Sequence, residues 1–90
     1  MGDKEVLFKT QEKKGRNDVS DMLHQLADKI AQGEVLLRHG EESISLQLPE
    51  NLGLEVQVTC KDKAGKGKRH KLEVEIKWYE GEQGKPLEIG

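Results

Sequence analysis

The chain predicts an α+β domain: one helix packed on one face of a mostly antiparallel four- to five-stranded sheet, in the order β-α-β-β-β-β. Three observations carry this. Apolar and charged residues alternate without a slip from Lys71 to Trp78, and the same period of two recurs over 44–48 and 54–60. Val19, Met22, Leu23, Leu26 and Ile30 recur at helical spacing instead. The polar side of each alternating run carries no apolar residue on which a second layer could rest.

The elements follow in order. Glu5–Lys9 reads as a short strand, with Val6 and Phe8 on one side and Leu7 on the other. It is expected to pair with the last strand, which would make the strand of Trp78 central; a parallel pairing with the second strand is the alternative. The helix is expected from residue 16 or 17 to 32. Gly15 and Asn17 compete as its N-cap, Asp18 and Asp21 suit the positive end of its dipole, and Gly33 supplies the left-handed stop.

Four runs then read as a meander. Glu34–Arg38 is followed by a tight turn at His39-Gly40-Glu41. Ile44, Leu46 and Leu48 alternate with Ser43, Ser45 and Gln47 until Pro49, and 50–53 turns the chain again. Leu54, Val56, Val58 and Cys60 alternate with Glu55, Gln57 and Thr59. A loop over 61–70 is expected to lead into Lys71–Trp78. Residues 1–79 read as one domain and 80–90, which lack any period, as a flexible tail.

Composition narrows the functions. The chain has 90 residues, 33% hydrophobic and 36% charged, with a net charge of −2. That balance predicts neither a general polyanion binder nor an acidic tail. The single cysteine, Cys60, admits no internal disulfide and fits a reducing compartment. The polar start, with Val6 where the myristoylation pattern needs Ser or Thr, predicts neither a signal peptide nor a lipid anchor. A cytoplasmic protein with no membrane partner is expected.

As a set, several stretches resemble the amphi-Trp domain, a small prokaryotic family named for amphipathic strands ending in tryptophan. They are Glu5-Val6-Leu7-Phe8, Val19 with Leu23 and Gln25–Lys29, and Gly33-Glu34-Val35. Glu42–Pro49, Leu54–Val58 and Leu72–Trp78 complete the set. The likeness covers about residues 4 to 79 and departs from the family at Gly15, where members usually carry a Ser or Thr cap. It implies the fold above and no catalytic residues, since the family has no established biochemical activity.

Several residues are candidate sites, each with a plainer role beside the functional one. Lys61, Lys63, Lys66, Lys68, Arg69 and Lys71 surround a lone Asp62 and form a candidate anion or nucleic-acid contact. The plainer reading is a solvated loop whose lysines discourage edge aggregation. The polar sheet face (Ser43, Ser45, Gln47, Glu55, Gln57, Thr59, Lys71, Glu73, Glu75, Lys77) is acidic at its middle and has no aromatic, unlike sheets that read RNA. It suits a protein partner better. Trp78 shares parity with Val74 and Ile76 and reads as a core anchor, while Tyr79 is the better exposed contact.

Cys60 shares parity with Leu54, Val56 and Val58, and is expected to be buried rather than reactive. His24 and Asp28 are one helical turn apart and could form a surface pair. His39 and His70 have no ligand spacing, so no metal and no cofactor are expected. The expected function is a non-catalytic protein-interaction module, monomer or weak homodimer, binding through a sheet edge or the polar face. Weak nucleic-acid or polyanion binding through 61–71 ranks second, and an enzyme or redox role of Cys60 last.

Overall fold

The structure, a computed structural model, describes residues 3–80. It is α+β: α1 (Arg16–Gln32), β1 (Glu34–His39), β2 (Glu42–Gln47), β3 (Gly53–Lys63) and β4 (Gly67–Lys77). Among the described residues the strands pair antiparallel as two two-stranded sheets, β1 with β2 and β3 with β4; the single sheet expected from the sequence is not confirmed. The chain divides into two compact units between Leu48 and Pro49. Proline has no N–H to donate, and no residue of 48–52 is in a strand.

In the first unit, α1 starts one residue after Gly15, whose extended φ of −65° and ψ of 155° mark it as the N-cap. Glycine has no side chain to bond the free N–H groups, so only its carbonyl engages, accepting from Val19 N–H at 3.1 Å. At the other end Gly33 takes φ +85°, and its N–H donates to the carbonyls of Ile30 and Lys29. The Gly33 carbonyl in turn accepts from Leu48 N–H at 2.8 Å, which extends the β1–β2 ladder.

The β1–β2 register sets Val35 opposite Leu46 and Leu37 opposite Ile44, so all four share one face. The helix contacts β1. Val35 is 4% exposed, and Leu26, Ile30, Leu37, Ile44, Leu46 and Leu48 are half-buried. This is the core of the unit. The early part of the helical stripe (Val19, Met22, Leu23) remains exposed.

The expected strand at Glu5–Lys9 is corrected: residues 3–15 contain no helix or strand. A strand needs a neighbour for its backbone groups, and no described residue pairs with this segment. Glu12 Oε2 lies 3.1 Å from Lys14 Nζ, and its Oε1 lies 3.4 Å from His39 Nε2 at the end of β1.

The second unit is a ribbon of two eleven-residue strands. The loop expected over 61–70 is corrected to three turn residues, 64–66. The turn closes by Lys66 N–H donating to the Lys63 carbonyl at 2.9 Å, with Gly65 at φ +77° in the third position. Gly67 follows at φ +85° and re-enters the ladder opposite Lys63. The two glycines let the ladder run through residues whose charge alone reads as loop. Part of the expected tail, 81–90, lies outside the described residues.

Candidate functional site

The β3–β4 ribbon gathers most of the sequence candidates, and its register sorts them into three surfaces. The first is polar. Glu55 stands directly opposite Glu75, a like-charge pair that alone would be unfavourable. Lys77 resolves it: its Nζ lies 2.9 Å from Glu55 Oε1 and 3.3 Å from Glu75 Oε2. The Glu55 hydrogen bond, then that to Glu75, raises the Lys77 ammonium above its ordinary pKa. One residue pair further along, Lys71 Nζ sits 2.8 Å from Glu73 Oε1 and holds that carboxyl below its usual value, chiefly by the hydrogen bond. Charge on this face is therefore compensated in place.

The second surface is apolar. Leu54 faces Ile76, Val56 faces Val74, and Val58 faces Leu72 across the strands. Leu54, Val58 and Leu72 are 68–70% exposed, and Val56 and Val74 are each 59% exposed. Cys60 lies on this face opposite His70, as its parity requires, but is exposed. The expectation of a buried thiol is corrected: parity fixes the face, while burial depends on what covers it. Trp78 follows β4 and is half-buried; Tyr79 is 81% exposed.

The third surface is the basic tip. Lys61 stands directly opposite Arg69, two cations side by side. Lys68 faces Asp62 on the other side of the ribbon, and Lys63 faces Gly67 at the turn. Lys63, Lys66, Gly67, Lys68 and Arg69 line a shallow cavity of about 380 Å³. Lys71, counted with this cluster in the sequence, is engaged by Glu73 and belongs to the compensated part.

The remaining candidates disperse. The expected His24–Asp28 pair is replaced by a bond from the His24 ring, whose Nδ1 lies 2.8 Å from the Ser20 carbonyl. His39 meets Glu12, and His70 faces Cys60. Among the described residues no group of three His, Cys, Asp or Glu side chains is placed to hold a metal ion. The bridging role of Lys77 was missed from sequence. The period of two that sets Glu75 beside Lys77 on one face signals it, but the partner Glu55 requires the register.

No described helix is long and apolar enough to cross a membrane. No curated protein and no solved structure matches the chain. The family model of the Amphi-Trp domain matches residues 1–90, the whole sequence. Its strands alternate as that likeness requires, and the chain belongs to the Amphi-Trp domain family.

Proposed function

We propose that this protein is a non-catalytic protein-interaction module working in a reducing, cytoplasmic setting, with the β3–β4 ribbon as its docking surface. One observation carries the reading. The ribbon is two-stranded among the described residues, so both edges keep unpaired backbone groups, and its aliphatic face is largely exposed. An isolated two-stranded hairpin is marginal in water, and a third strand or an apolar layer is what stabilises one. The partner is a protein that supplies either. Backbone bonds along an edge give affinity, and the side chains at alternate positions give selection. The lone free thiol, exposed and unbridged, supports the reducing setting.

The test is capture of partners from a lysate followed by cross-linking and mass spectrometry. Cross-links are expected on 54–60 and 70–76. Val56→Asp with Val74→Asp should abolish recovery, while Lys66→Gln leaves it unchanged. Recovery that survives the double aspartate variant would refute the reading.

A further inference from the structure

We propose that the tip of the β3–β4 ribbon binds the phosphodiester backbone of double-stranded nucleic acid, independently of base sequence. From Lys61 to Arg69 the chain carries five cations and one carboxylate, Asp62, in a protein whose net charge is −2. The positive charge is thus local, and it is in excess of the one carboxylate beside it. Among the described residues none of Lys61, Lys63, Lys66, Lys68 and Arg69 forms an ion pair, whereas Lys71 and Lys77 on the same ribbon both do. Directly opposed cations such as Lys61 and Arg69 repel, and an anion lying against them would relieve that repulsion.

Geometry narrows the anion. The tip is a regular ladder closed by a three-residue turn, so the cations are held at fixed spacing rather than on a slack loop. Residues 61 and 63 on one strand are about 6.6 Å apart, and a two-stranded ribbon is a shape that the major groove of a duplex admits. A Cβ built at Gly65 or Gly67 would meet nothing within 4 Å, so no side chain crowds the approach of a phosphate to the turn at those two residues. Ala64 is the only apolar side chain between Lys61 and Arg69, which leaves nothing to insert into a lipid layer. No aromatic lies there to stack on unpaired bases.

Fluorescence anisotropy with two labelled DNA duplexes of unrelated sequence tests the proposal. Four or five phosphate contacts predict a loss of affinity on the order of 10²-fold between 50 and 200 mM salt, equal for both duplexes. Lys66→Gln with Lys68→Gln and Arg69→Gln should weaken binding at least ~10-fold at 50 mM and flatten the salt slope by about 2–3. Lys14→Gln with Lys71→Gln and Lys77→Gln removes the same three charges from ion-paired positions and should bind within ~3-fold of the parent. Circular dichroism confirms that each variant folds. No binding at 50 mM, equal weakening by the two triple variants, or binding to phosphatidylserine vesicles without binding to the duplexes overturns the proposal.

Discussion

The two hairpins obey one alternation rule and come to different ends. In β1–β2 the apolar face lies under α1, and Val35 is 4% exposed. In β3–β4 each strand is nearly twice as long, and no residue of the ribbon is fully buried. Alternation thus determines which side chains share a face, and says nothing about what that face meets. A short hairpin joined directly to a helix acquires a core. A long hairpin with aliphatic residues on one side and charges on the other presents a surface.

That difference can be broken by truncating a matched residue in each hairpin. Val35→Ala deletes a buried side chain and should cost about 2–3 kcal/mol, read by urea denaturation. Val74→Ala, at 59% exposure, should cost less than about 1 kcal/mol in the free protein. Equal costs would mean that the two faces are alike in solution. Gly33→Ala comes next. It forces φ +85° on a residue with a Cβ and should destabilise the first unit by about 1–2 kcal/mol. A loss spread evenly over both units in hydrogen exchange would argue against their division at Leu48.

The smallest effects are the charge contacts, and they sharpen the contrast by pH. Glu73 has its carboxyl lowered by Lys71, so its contribution is present above the ordinary glutamate pKa and fades as pH falls through the lowered one. Glu12, lowered first by its hydrogen bond to Lys14, behaves alike in the first unit. Lys77 is the opposite case. Its raised pKa gives a contribution present below the ordinary lysine value and lost as pH rises through the raised one. Carboxyl and ammonium NMR titrations should show midpoints displaced in these directions. An undisplaced Lys77 would remove the bridge between Glu55 and Glu75.

The same contrast explains what was legible in the sequence. The helix boundaries were, because Gly33 and the 3.6-residue period act within a few residues of chain. The faces of β3 and β4 were, because parity is local. The absence of a strand at Glu5–Lys9 was not, since a strand there depends on a pairing with a distant segment that no local period encodes. At 61–70 the charges of Lys61-Asp62-Lys63 hid a ladder that Gly65 and Gly67 make feasible. The basic cluster itself was visible, but the separation of Lys71 from the unpaired cations depended on Glu73 reaching it. Parity places Cys60 on the aliphatic face but does not bury it, because burial depends on what covers that face.

Gly33 has a consequence for how this sequence can vary. Its N–H closes the helix while its carbonyl begins the sheet, so there is no slack between the two elements. One residue inserted there would rotate the helix by about 100° relative to the strand, or turn Val35 and Leu37 to the wrong face. The joint therefore forbids changes of length. The turns at 40–41 and 64–66 carry no such double duty, and gains or losses of residues should gather there.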